Sequence, residues 1–344
     1  MFTASPGVMR NMDEENAQVT GPVAEKANRV KDSPPSQASC PMEQANELRV
    51  TPESSSEDRT SQESLTTVDD SDAGLEPCMI WSLMEALEKQ TEQIGVSACG
   101  ATAVVNVMQA LGVPVEADIA ESAVGTKLRA NEAPLAEYLL SRSVAGATHE
   151  QLLVGAHEAS RGRVLGRFFH MYPARAVPLA HWLRHWMRRG AVPVVTMNMQ
   201  VAVPPGEEVP DAWHHQMVFG VGREGIYMTN PLDFVGTAVL SQRLSSPSEL
   251  LVRREDVEAR VVGGSGTIPC LEDDPRWHEL HVAEQVERML CAQSALGEGQ
   301  DLLTTAAPTH ITIPAAYKSG VTLFVPCDSP VAAELLAEPE LPLL

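Results

Sequence analysis

The sequence predicts an α+β protein, and two observations carry that expectation. Apolar residues recur at helical spacing through the first half of the apolar region, whereas short β-branched runs separated by glycines fill much of the second. The apolar region itself has a sharp beginning. Residues 1–77 contain one aromatic, Phe2, and the next is Trp81. The tract between is rich in Ser, Pro, Gln and acids, as in Glu53-Ser54-Ser55-Ser56-Glu57-Asp58, and cannot bury enough apolar surface to offset its chain entropy. Residues 1–77 are therefore expected to be a disordered acidic tail, 78–330 one folded domain, and the Pro-bearing 331–344 a second acidic tail.

From Trp81 to Lys89 the pattern predicts a short helix with Trp81, Leu83, Met84 and Leu87 on one side. After a loop through Gly95, the spacing of Ala101, Val104, Val105 and Met108 predicts a buried helix over about 97–111. Ser97 is its expected N-cap and Gly112 its C′ residue. Residues 115–175 are expected to be helical, around Leu135–Leu140 and Glu150–Ser160. Pro178 should start an amphipathic helix with Leu179, Trp182, Leu183, Trp186 and Met187 in one stripe, ended by Gly190 and followed by a strand from Val192 to Met197. Two more strands are expected at His215–Phe219 and Ile226–Thr229. The segment between them, Gly220-Val221-Gly222-Arg223-Glu224-Gly225, has the form GxGxxG. A strand-like Ile226-Tyr227-Met228-Thr229 follows it where a dinucleotide fold needs a helix, so it reads as a hairpin turn. Leu280–Leu290 is expected to be a helix, and His310–Ala315 with Val321–Val325 a hairpin.

Charge and cysteine usage exclude several functions. The net charge is −21, of which about −9 falls on residues 1–76, and the one basic cluster, Arg184 with Arg188 and Arg189, suits a helix C-terminus. No nucleic-acid partner is expected. The six cysteines form no CxxC pair, and neither a signal peptide nor an 18-residue apolar run is apparent. These features suggest a cytoplasmic protein without a membrane partner. No cofactor or metal is expected; His181 and His185 have i, i+4 spacing but lack an adjoining Glu and a third ligand.

The candidate chemistry centres on Cys99. A thiol in the first turn of a helix meets free N–H groups and the positive dipole end, which favour thiolate. Gly100 removes bulk where a substrate carbonyl would approach, and the Gln93 amide can donate with the Cys99 N–H to an oxyanion. A thiol nucleophile also needs a base held by a third group. The pair His214-His215 opens a strand that turns at glycines and returns to Asn230-Pro231.

The stretch Gln93-(x5)-Cys99-Gly100 entering an apolar helix resembles the papain-like cysteine peptidases, and the C39-like branch in particular. His214-(x5)-Gly220-Val221-Gly222 is similar to the strand and turn after that clan's catalytic His. Asn230, sixteen residues after His214, matches its orienting Asn or Asp, ahead of the alternative Asp233. The helix, glycine and strand of Leu179–Val195 match the element preceding the His, so the likeness covers roughly 85–240. The Gly-Ser-Cys-Trp type signature of papain itself is absent. The resemblance implies a C39-like fold, with a helical N-terminal half whose nucleophile helix packs on an antiparallel sheet. It implies a cysteine peptidase with Cys99 as nucleophile, His214 rather than His215 as base, Asn230 orienting it and Gln93 in the oxyanion site, acting on a peptide or protein. The same thiol site would also serve an acyl transferase, and a repurposed fold would serve a non-catalytic binding or scaffold protein.

Overall fold

Chain order sets a helical layer down before most of the sheet. The computed structural model describes residues 76–261, 274–297 and 308–344. The expected N-terminal tail, Cys40 and Cys270 lie outside the described residues, except for Glu76 and Pro77. A short strand β1 (Cys78–Met79) leads into α1 (Leu83–Lys89), which is started by a capping box: Ser82 Oγ accepts from the Glu85 N–H while the Glu85 carboxylate accepts from the Ser82 N–H. Helices α2 (Cys99–Ala110), α3 (Ala117–Val124), α4 (Leu135–Val144) and α5 (His149–Ala159) follow. Then come β2 (Val164–His170), α6 (Leu179–Arg188), β3 (Val192–Asn198), β4 (Trp213–Val221), β5 (Gly225–Met228), β6 (Asp233–Gly236) and α7 (Thr237–Leu244). The remainder is β7 (Glu249–Arg253), α8 (Arg254–Glu258), α9 (Pro275–Glu279), α10 (Val282–Gly297), β8 (His310–Pro314), β9 (Gly320–Pro326) and α11 (Val331–Ala337).

The main sheet runs β2-β9-β3-β4-β5-β6, with β1 also paired to β4, and every pairing is antiparallel. Alternation along its strands divides the core. Val192, Val194, Met217, Phe219 and Phe324 face α2, α3 and α5, whereas Val195, Met197, Val218, Val321, Leu323 and Val325 face α6, α7 and α11. A third cluster joins α4, α8, α9 and α10 to the two-stranded sheet of β7 and β8, through Leu139, Leu250, Val252, Trp277, Val286, Ile311 and Ile313. The molecule is thus a mixed helical and antiparallel-sheet fold. Among the described residues no helix is long and apolar enough to cross a membrane.

The β4–β5 hairpin forms as expected, with the Gly222 N–H donating to the Gly225 carbonyl at 2.8 Å. Three expectations about these elements fail. Residues 310–325 do not make a hairpin: β8 pairs with β7, while β9 enters the main sheet between β2 and β3. Strand β2 lies in a stretch expected to be helical; it pairs along its whole length with β9, from Val164 opposite Pro326 to His170 opposite Gly320. Residues 331–344 are not a tail, because Val331, Ala332, Leu335 and Leu341 are buried and the Leu344 N–H bonds to the Ala174 carbonyl. Helix α1 forms where expected, with Ala86 turned inward and Leu83, Met84 and Leu87 more than half exposed.

Candidate active site

Helix α2 is buried from Cys99 through Met108. Ser97 does not cap it; at φ 59° Ser97 is in the left-handed region, and the N-cap is Ala98 with no side-chain hydrogen bond. At the other end Gly112, at φ 70°, completes a Schellman turn, in which the Val113 N–H bonds to Met108 O and the Gly112 N–H to Gln109 O. Two buried polar residues of α2 tie down the preceding loop. Asn106 exchanges hydrogen bonds with both main-chain groups of Thr91 at 2.7 and 3.1 Å, and Thr102 Oγ1 accepts from the Ile94 N–H at 3.2 Å. The loop carrying Gln93 is thereby fixed relative to Cys99.

The Cys99 sulfur lies under main-chain N–H groups of His215, Gly100 and Cys99 itself, all of which pull its pKa down, as does the Arg129 cation. Burial outweighs them and pushes the thiol up. Gly100 does not clear a path for substrate. A Cβ there would meet Leu152 at 3.0 Å, Ala147 at 3.1 Å and the His215 ring at 3.5 Å, so the glycine serves core packing.

The two histidines point to opposite faces of β4. His215 is on the α2 side and fully engaged. Its Nδ1 is 3.0 Å from Thr196 Oγ1, its cross-strand neighbour, and its Nε2 is 2.8 Å from the Ala147 carbonyl. A carbonyl only accepts, so Nε2 carries the proton and Nδ1 accepts from the hydroxyl. Burial lowers its pKa to about 4. His214 is half-buried, and its Nε2 lies 2.6 Å from the carbonyl oxygen of Asn230. That contact again places the proton on Nε2 and leaves Nδ1 with its lone pair. Burial lowers the pKa of His214 also.

Asn230 meets His214 through its main chain, whereas the resemblance implies a side-chain amide. Its φ of 59° turns the carbonyl toward the imidazole, its N–H is held by Gln90 Oε1 at 3.1 Å, and its own Nδ2 is buried without a partner. Gln93 is exposed, and its Nε2 donates one hydrogen to the Gly95 carbonyl at 3.0 Å, leaving the second available.

Gln93, Cys99 and His214 line one cavity of about 370 Å³; Asn230 is behind His214. No hydrogen bond of the described residues joins the Cys99 sulfur to either imidazole, and such contacts are often loose in ligand-free sites. The same cavity is lined by residues that the motif reading missed: Arg129, Asn131, Arg142, Trp213 and Tyr317. Arg142 had a readable signal. With Leu135, Tyr138 and Leu139 it stands at i, i+7 on the buried stripe of α4, a core-facing position for a charged residue. Tyr317 stacks on Trp213 at 5.6 Å, and burial raises its pKa, so its hydroxyl stays protonated.

No protein-family model matches the chain, and no curated protein is similar to it. Among solved structures, a Bacillus anthracis protein described provisionally as a C39-like peptidase is similar at 15% identity and a TM-score of 0.32, over 49% of this chain and 92% of that one. A likeness of that size carries no assignment of activity.

Proposed function

We propose that the protein is a cysteine-dependent hydrolase of the peptidase type. One observation carries the reading: the Asn230 carbonyl fixes the proton of His214 on Nε2 and leaves Nδ1 basic, on a residue that shares a cavity with a thiol at a helix N-terminus.

Burial disfavours both the thiolate and the imidazolium, so the resting pair is neutral rather than an ion pair. His214 lies on the face of β4 away from α2, so in the proposed reaction its Nδ1 takes the Cys99 proton through one water in the shared cavity as the sulfur bonds to the acyl carbon. The second Gln93 N–H and the main-chain N–H of Cys99 receive the oxyanion. Imidazolium then returns its proton to the leaving amine, and water attacks the thioester with His214 again as base. The Asn230 carbonyl bonds to the Nε2 hydrogen throughout, and so also favours the transient cation.

The test is covalent. Wild-type protein is mixed with a p-nitrophenyl ester, quenched in acid and mapped by mass spectrometry. The expected result is an acyl group on Cys99, formed at least about 100-fold faster than in His214→Ala, the range of general-base assistance. Acylation spread over the other cysteines at similar rates, or unaffected by the His214 change, would overturn the proposal.

A further inference from the structure

The cavity that holds Cys99 is cationic in a chain that is otherwise strongly acidic. Its charged lining consists of Arg129 and Arg142, and neither Asp nor Glu lines it. The carboxylate that pairs with both, Asp211, is shared. Arg142 Nη2 lies 2.9 Å from Asp211 Oδ1 and also donates to the Asp211 carbonyl at 2.9 Å, while Arg129 Nη1 pairs with the other carboxylate oxygen. Asp256, which also acts on Arg142, is paired with Arg260 at 3.1 Å, so two guanidinium groups against the Asp211 carboxylate leave one positive charge. Arg142 is 2% exposed and its Nε is buried with no partner, so its donors are not used up by the fold. A buried cation of this kind is costly unless something anionic completes it. Anchoring the 211 loop to α4 needs only one arginine, and does not account for a second one on the cavity wall.

We propose that the cavity selects ligands with a carboxylate, held by Arg129 and Arg142, so that acidic peptides are the preferred acyl donors. Preference for acidic acyl donors rests on the hydrolase reading; anion selection next to Cys99 does not. Arg129 and Arg142 are specificity residues in this scheme. Arg129 is near enough to Cys99 to favour its thiolate, so the bound anion and the nucleophile compete for the same positive field.

The test compares two alkylating probes of similar size, iodoacetate and iodoacetamide, read at Cys99 by mass spectrometry on the full chain. For wild type, the iodoacetate-to-iodoacetamide rate ratio should exceed that of glutathione by about 10-fold, as expected of a partly screened unit charge, and should fall with added salt. Arg129→Gln should bring the ratio close to that of glutathione, and Arg129→Lys should keep most of it. A wild-type ratio no higher than that of glutathione, or one unchanged in Arg129→Gln, overturns the proposal. Anion preference without ester or peptide cleavage would instead sink the hydrolase reading alone, and cleavage without anion preference would sink this one alone.

Discussion

The imidazole of His214 donates from Nε2 to the carbonyl oxygen of Asn230 at 2.6 Å, so the residue that orients the candidate base does so through its main chain. The consequence can be measured. Asn230→Gly retains the carbonyl and suits a φ of 59°, so hydrolysis should stay within about tenfold of wild type. His214→Ala should lose about 100- to 10,000-fold. A loss in Asn230→Gly as deep as that in His214→Ala would mean that the amide side chain does the orienting.

Cys99 should titrate above the ordinary thiol range, because burial outweighs the three N–H groups and the Arg129 cation around its sulfur. The iodoacetamide rate at Cys99 should rise with pH through a midpoint above about 8.5, and Arg129→Gln should move that midpoint higher. A plateau already reached at pH 6 would point to a preformed thiolate–imidazolium pair.

His215 gives the fold an acid sensitivity that starts near neutrality. Its pKa is about 4 in the folded state and near 6.5 unfolded, so below pH 6.5 the unfolded chain binds the proton that the folded chain refuses. This contribution is complete above pH 6.5, and about 2 kcal/mol of it is gone by pH 5 and about 3 by pH 4. Urea unfolding at pH 7 and pH 5 measures it. Equal stability at the two values would show that His215 protonates freely within the fold.

At Gly155 helix α5 packs directly against α3. A Cβ there would lie 2.6 Å from Val124 Cγ2 and 2.8 Å from Val124 Cα, and backbone cannot move aside cheaply. Gly155→Ala should therefore destabilise by about 1–3 kcal/mol in thermal or urea unfolding, despite the better helix propensity of alanine. A neutral or stabilising result would contradict the packing described.

Local patterns made part of this architecture readable. The stripe of α6, Gly190 and the apolar run of β3 follow one another closely, and the glycines between β4 and β5 make the hairpin turn their spacing suggests. What failed was non-local. Nothing near Val321–Val325 says that it pairs with β2 and β3 rather than with β8, since each partner is a plausible neighbour on pattern alone. The acidic look of 331–344 hid Val331, Leu335 and Leu341, whose burial depends on a surface built by residues about 170 positions away, around Arg167 and Arg175. At the site, Cys99 and His214 were candidates by spacing, and both line one cavity. Arg129 and Arg142 belong to no motif; their relevance comes from a cavity that only the fold encloses.

In the proposed reaction Cys99 performs chemistry on an acyl carbon. The most direct test of that role is cleavage of a proteome-derived peptide library by wild-type protein and by Cys99→Ala. New peptide termini should appear with wild type, enriched for acidic residues near the cut, and none with Cys99→Ala although that variant stays folded. The same termini appearing at the same rate with Cys99→Ala would contradict that role.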